Sequence, residues 1–168
     1  PIHSIDEKSN INDILQNALN LTENQREKLK IDIELALSKE SFMVEKYSTD
    51  LFQVFLNILG NSYDSLKKRK ENDESFKKGI IKVSSGWTPD KNSFFINIED
   101  NGIGFSKEEE TLLFSRGKTF KENHEGLGLF YVREVIDLIH GTISFKSSGT
   151  NLGATFKISF PKKDKGTN

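Results

Sequence analysis

Ile96-Asn97-Ile98-Glu99-Asp100-Asn101-Gly102-Ile103-Gly104-Phe105 places an alternating run directly before an acid and two glycines one residue apart. Ile96 and Ile98 fall on one side and Asn97 and Glu99 on the other. That is the period-2 pattern of a half-buried strand, predicted over residues 93–99. Asp100 then stands at the strand end. A carboxylate fixed there can accept from an exocyclic amino group, and it repels the carbonyl that guanine places in the same position. Such a mismatch costs about 1–3 kcal/mol. Gly102 and Gly104 permit φ > 0 and a close approach of backbone to ligand. An ordinary Asn-Gly turn accounts for the same residues.

Working outward, residues 80–87 form a second predicted strand, joined to the first across Thr88-Pro89-Asp90-Lys91-Asn92, a strong turn sequence. Ile31, Ile33, Leu35 and Leu37 alternate with Asp32, Glu34 and Ala36, again a half-buried strand. Residues 10–24 read as an amphipathic helix with Asn10 as N-cap and Ile11, Ile14, Leu15, Ala18, Leu19 and Leu21 on its apolar face. A long helix is predicted over residues 50–69, followed by a polar surface loop at 71–79. Residues 101–126 are rich in Gly, Lys and Glu, with one apolar patch at Leu112-Leu113-Phe114, and read as a mobile lid. Helical spacing returns over 127–139, and residues 141–146 and 154–160 are two more strands. The sum is an α+β fold, a two-layer sandwich of one mixed five-stranded sheet with helices on one face. Residues 30–161 are expected to form the ligand-binding core, 1–29 an N-terminal segment of the same domain carrying the first helix, and 162–168 a basic tail.

Composition narrows the function classes. At 168 residues, with 35% hydrophobic residues, 13 Phe, 3 Tyr and 1 Trp, the chain can build one domain with a core. A formal net charge of −1 argues against nucleic acid as a partner, which normally meets a basic face. Lys67-Lys68-Arg69-Lys70 is the densest positive run, but Glu71, Asp73 and Glu74 follow, so it reads as a solvated helix end. The absence of cysteine excludes a disulfide framework and a thiolate metal site. No apolar run reaches the ~18 residues of a membrane span and no signal peptide is visible, so this stretch is expected to make no direct membrane contact. The chain begins at Pro1, as would an excised piece of a longer protein or a chain that had lost its Met.

Three further stretches carry chemistry. On the predicted 50–69 helix, Asn57, Asn61 and Asp64 recur at i, i+4 and i+7 and project together. Asn is a mediocre helix former, and its carboxamide oxygen is a hard neutral ligand suited to Mg²⁺ carrying phosphates. A solvent-facing polar stripe has the same spacing. Gly126-Leu127-Gly128-Leu129-Phe130 sits where the lid gives way to a helix, and an exposed helix N-terminus attracts phosphate. Lys121, five residues earlier, is placed to reach a terminal phosphate as a point charge. In Gly149-Thr150-Asn151-Leu152-Gly153-Ala154-Thr155-Phe156 a glycine turn enters a strand, with Gly153 and Thr155 as nucleotide neighbours or as parts of a plain hairpin loop.

In order and spacing these stretches resemble the ATP-binding catalytic domain of bacterial sensor histidine kinases, within the larger group that contains gyrase, Hsp90 and mismatch-repair ATPases. Gln53-Val54-Phe55-Leu56-Asn57-Ile58-Leu59-Gly60-Asn61 is similar to the family's N box, and Asp100-Asn101-Gly102-Ile103-Gly104 to its first glycine box. Leu113-Phe114 with Lys118-Thr119-Phe120-Lys121 resembles the F box, Gly126-Leu127-Gly128-Leu129 the second glycine box, and Gly153-Ala154-Thr155-Phe156 the last. Ile139-His140-Gly141 also matches a recurrent family stretch. The resemblance spans roughly residues 30–161 and implies the Bergerat ATP-binding fold, with ATP and Mg²⁺ as ligands. It makes Asn61 the direct Mg²⁺ ligand, sets Asn57 beside the phosphates, gives the adenine amino group to Asp100, and has Gly102, Gly104, Gly126 and Gly128 shape the pocket. The chain departs from the pattern at His124, where the family often has Gly, and at Ala154, where Thr is common. Asp64 occurs in one branch of the family.

Hydrolytic relatives such as gyrase carry a Glu where this chain has Asn57, and that Glu is the base for an attacking water. An Asn cannot accept the proton, so the resemblance implies a pocket that positions ATP for transfer and hydrolyses it slowly. The family's acceptor His lies on a separate helical hairpin, beside an acid and a few residues before a Pro. His3 is followed by Ser4-Ile5-Asp6 with no nearby Pro, and His140 reads as structural. The expected partners are therefore a dimerisation and phosphoacceptor domain outside this chain and, downstream, the receiver domain of a response regulator. The location implied is cytoplasmic, as a free protein or as the cytosolic part of a membrane-bound sensor. Two other classes share the motifs: a serine kinase of the anti-sigma-factor type, and a degenerate nucleotide-binding module that signals occupancy.

Overall fold

Asn10 opens the first helix as its side chain dictates. In a computed structural model that describes residues 8–113 and 128–163, its Oδ1 accepts from the Asn12 amide at 3.2 Å and caps α1 (Ile11–Leu21). Ile11, Ile14, Leu15, Ala18 and Leu19 of α1 are buried. The helix predicted over 10–24 is in fact two. Thr22 turns the chain, its hydroxyl donating to the Ala18 carbonyl at 3.0 Å and lying 2.7 Å from the Tyr63 hydroxyl, and α2 (Glu23–Leu29) follows without a buried residue.

Alternation produces the sheet. β2 (Ile31–Ala36) pairs parallel with β4 (Gly79–Trp87). β5 (Ser93–Asp100) pairs antiparallel with β4 and with β7 (Ala154–Pro161), and β7 with β6 (Thr142–Ser147). The order β2-β4-β5-β7-β6 is the mixed five-stranded sheet read from the sequence. A two-residue pairing between β1 (Ser9–Asn10) and β3 (Met43–Val44), too short to leave a pattern, closes the start of α1.

One face of the sheet is apolar, with Ile81, Val83, Phe94, Ile96, Ile98, Phe156 and Ile158 buried. The other shows Lys82, Glu99, Lys146 and Lys157 to solvent. The main helices therefore cover the apolar side. α3 (Ser48–Asn72) lies against that side with Leu51, Val54, Phe55, Ile58 and Leu59 fully buried, and packs between α1 and α5 (Gly128–Leu138). It runs past the predicted residue 69 because Lys70 and Glu71 are good helix formers. Asp73 then stops it by accepting from the Ser75 amide at 3.0 Å. At the sheet end remote from Asp100, Phe42 stacks on Phe94 at 5.3 Å and Trp87 meets Phe94 edge-on at 5.5 Å.

Part of the stretch read as lid is helical. α4 (Lys107–Leu112) begins with a capping box: Ser106 Oγ accepts from the Glu109 amide at 3.2 Å, and the Glu109 carboxylate accepts from the Ser106 amide at 2.8 Å. Phe114, Lys118, Thr119, Phe120, Lys121, His124, Gly126 and Leu127 lie outside the described residues, as does His3. None of the helices among the described residues is long and apolar enough to cross a membrane.

A buried polar link ties α1 to the sheet. Ser85 Oγ donates to Asn12 Oδ1 at 2.8 Å, and Asn12 Nδ2 donates to the Ser38 carbonyl at 3.0 Å. Asn12→Ala leaves both partners without it, and an unsatisfied buried group costs about 1–3 kcal/mol. Urea unfolding is expected to show a loss of that size with an unchanged m-value; a neutral result would mean that water replaces the amide.

Candidate functional site

Asp100 ends β5 on the helix-facing side of the sheet and is 4% exposed. Burial pushes its carboxyl up from 3.8 to about 6. The Gly102 amide, which donates to Oδ1 at 2.9 Å, the Ser62 hydroxyl and the Ala154 amide hold the charged form against this, while the Glu99 charge adds to the rise. Ser62 Oγ lies near enough to favour the charge, yet it is buried without a well-formed hydrogen bond. A buried carboxylate whose charged form these donors only partly offset keeps acceptor capacity for a further one.

The turn after Asp100 is pressed onto α3. The Ile103 amide donates to both Ser65 Oγ, at 3.0 Å, and the Ser65 carbonyl, at 3.3 Å. A Cβ at Gly102 would run into Ser65 Oγ and come within 2.8 Å of Asp100 Oδ1. Gly102 does not take up positive φ; its lack of a side chain serves this contact within the chain. Gly104 does, at φ 68°, where a Cβ would meet the Gly149 carbonyl and, at 2.6 Å, Ser147 Oγ. The sequence reading assigned both glycines to ligand approach, whereas here they let three segments of the chain interlock. Ser147 Oγ accepts from the Phe105 amide at 3.0 Å and donates to the Gly153 carbonyl at 2.7 Å, and the Gly153 amide donates to the Gly102 carbonyl at 3.1 Å.

Asn57, Asn61 and Asp64 are half-buried on α3, in the turns leading to Ser62 and Ser65. Asn57 uses both ends of its carboxamide: Oδ1 accepts from Gln53 Nε2 at 2.9 Å, and Nδ2 donates to the Gly128 carbonyl at 3.3 Å. The helix stripe, the Asp100 turn and the start of α5 therefore converge. Leu129 packs partly buried against the core. Thr155 lies apart from the helix stripe and the start of α5. It pairs with Glu99 and Lys146 on the solvent face and, together with Asp100, borders a cavity of about 500 Å³ that Asn57 and Asn61 do not line. The buried alternation of Phe156, Ile158 and Phe160 already implied that orientation.

Sequence reasoning missed four participants. Ser62 and Ser65 follow Asn61 at i+1 and i+4 and carried no signal of their own. Asn101, read as a turn residue, accepts from the Ile80 amide at 2.7 Å and donates to the Lys78 carbonyl at 3.0 Å, fastening the turn to β4. Arg69, read as part of a solvated run, donates from Nη1 to the Asn101 carbonyl at 2.7 Å and lies over the Phe76 ring at 4.5 Å.

The family profile described as "Histidine kinase-, DNA gyrase B-, and HSP90-like ATPase" matches residues 46–164. A probable C4-dicarboxylate sensor kinase of Halalkalibacterium halodurans is 26% identical over 140 residues, 80% of this chain and 25% of that one. Sporulation kinase B of Bacillus subtilis is 32% identical over 114 residues, 68% of this chain and 24% of that one. The chain thus spans about a quarter of the length of these curated relatives. Among solved structures, a mycobacterial sensor histidine kinase, MprB, superposes with a TM-score of 0.76 at 21% identity, covering 94% of this chain and 97% of that one, a likeness of fold.

Because folding raises the Asp100 pKa, the stability this group contributes is complete below its unfolded value of 3.8 and lost as pH climbs through about 6. Asp100→Asn removes that loss. Urea unfolding across pH is expected to find the variant on the order of 3 kcal/mol more stable than the parent at about pH 8, and nearly equal to it at about pH 4. Parallel pH profiles for the two would contradict the burial of this carboxylate.

Proposed function

We propose that this chain, which belongs to the family of histidine kinase-, DNA gyrase B- and HSP90-like ATPases, is the ATP-binding catalytic domain of a sensor histidine kinase. The observation that carries the reading is the seating of the Asp100 turn on Ser65 of α3, which brings a buried carboxylate against the helix that bears Asn57 and Asn61. Asp100 takes the adenine amino group, and Asn57, already bonded to Gly128, stands beside the phosphates. Among the described residues no three His, Cys, Asp or Glu side chains gather as a metal cage. Asn61, half-buried on α3 with a hard carboxamide oxygen, fits Mg²⁺ as one protein ligand, with phosphate and water oxygens as the others. When bound, the metal neutralises charge on the phosphates.

Asn57 cannot serve as a base toward water, so the pocket holds ATP for a protein nucleophile. The phosphoryl group passes to a His on a dimerisation domain outside this chain, and from there to the Asp of a response regulator. Similar chains named as a probable sensor kinase and a sporulation kinase support this reading. The domain works in the cytoplasm, alone or beneath a membrane sensor.

Calorimetric titration with ATP, ADP and GTP, with and without Mg²⁺, tests the proposal. ATP and ADP are expected to bind, GTP about 10–100-fold more weakly, because Asp100 repels its carbonyl. Asn61→Ala is expected to abolish the gain from Mg²⁺. With radiolabelled ATP the chain by itself is expected to form no phosphohistidine. Absence of Mg·ATP binding would sink the reading.

A further inference from the structure

Tyr131 and Asp50 take no part in the site described above, yet they join the same two helices. The Tyr131 hydroxyl donates to Asp50 Oδ1 at 3.1 Å, across 81 residues of sequence. Three residues before Tyr131, the Gly128 carbonyl accepts from Asn57 at 3.3 Å. On α3 the two partners, Asp50 and Asn57, are seven residues apart, two turns along one face. Gln53 stands between them and donates to Asn57 at 2.9 Å. α3 and α5 therefore run antiparallel here, fastened at two points of one polar stripe.

Tyr131 is only half-buried and rests against the core. Burial, and then the hydrogen bond to Asp50, push its phenol up, so it remains a donor. Asp50 lies in the first turn of α3, where a negative charge is favoured by the helix dipole. The pair is thus a charge-assisted hydrogen bond between a neutral donor and an ionised acceptor.

We infer that Tyr131 and Asp50 are positioning residues that set the rotation of the first turn of α5 against α3, and so hold the phosphate end of the nucleotide site in register with Asn57. The direction of the α5 amides described from Gly128 onward follows the roll of that helix. Gly128 has no side chain with which to resist a roll. Buried Val132, Val135 and Ile136 seat the helix on the core, and on its polar side Asn57 holds the Gly128 carbonyl while Asp50 holds Tyr131, one turn on. This rests on the nucleotide reading proposed above.

The test compares Mg·ATP with adenosine, which keeps the ring that Asp100 reads and lacks every phosphate. Tyr131→Phe retains the ring packing and removes the donor. It is expected to weaken Mg·ATP about tenfold by calorimetry while leaving adenosine, followed by NMR titration, within about twofold. Asp50→Ala is expected to match it, the double variant to be no worse than either single one, and Asp50→Asn, whose amide oxygen still accepts, to recover most of the affinity. Equal losses for ATP and adenosine, unchanged ATP affinity in Tyr131→Phe, or Asp50→Asn as poor as Asp50→Ala would each overturn the inference while the nucleotide reading stands. If the unaltered chain binds neither ligand, the nucleotide reading itself falls and takes this inference with it.

Discussion

Where β5 ends, the chain passes so close to α3 that residue 102 has room for hydrogen and nothing larger. The contact is made by backbone and a hydroxyl: one amide, from Ile103, shared between the side chain and the carbonyl of Ser65. The rest of the site follows from this closeness. Asp100 is shut away from water because the turn beyond it folds down onto the helix. Arg69, farther along α3, reaches the Asn101 carbonyl, and Asn101 in turn holds β4. A helix, a strand end and a turn are thereby locked into one geometry.

The lock extends to the last glycine turn. The Asn151 amide donates to the Ile103 carbonyl at 2.5 Å, and Gly153 donates to Gly102. Ser147 bonds to the residues on both sides of that junction. Gly102 and Gly104 thus make room for other parts of the chain, and the turn they shape is held by interlocked backbone. Its cost is visible at Asp100, whose charged form is disfavoured by burial and only partly offset by the Gly102 amide. A buried carboxylate lowers the stability of the domain at neutral pH, a local conflict of the kind that marks functional sites.

Much of the architecture was legible because alternation and the 3.6-residue period are written in contiguous residues. All five main strands and the apolar face of α1 up to Leu19 were read this way, although Leu21 is exposed, and the Asn10 cap was readable from its hydrogen-bonding chemistry. What escaped had no apolar stripe. α2 buries nothing, and its sequence looks like the tail of α1 until Thr22 turns the chain. α4 also buries nothing, although Ser106 and Glu109 have the spacing of a capping box; the surrounding Gly, Lys and Glu obscured it. Thr155 lies on the solvent face of β7, as the buried parity of Phe156 implies.

By itself the sequence determined that an acid stands at a strand end, that Asn57, Asn61 and Asp64 share a helix face, and that glycine turns follow at intervals matching a known family. Only the tertiary structure decided that Asp100 sheds its water, that Ser62 and Ser65 are its neighbours, and that Asn57 grips Gly128 across 71 residues. The division has a physical cause. Periodicity and capping are set by residues within a turn or two of each other. Desolvation and long-range hydrogen bonds depend on which distant segments come to rest together, and no single segment carries that information.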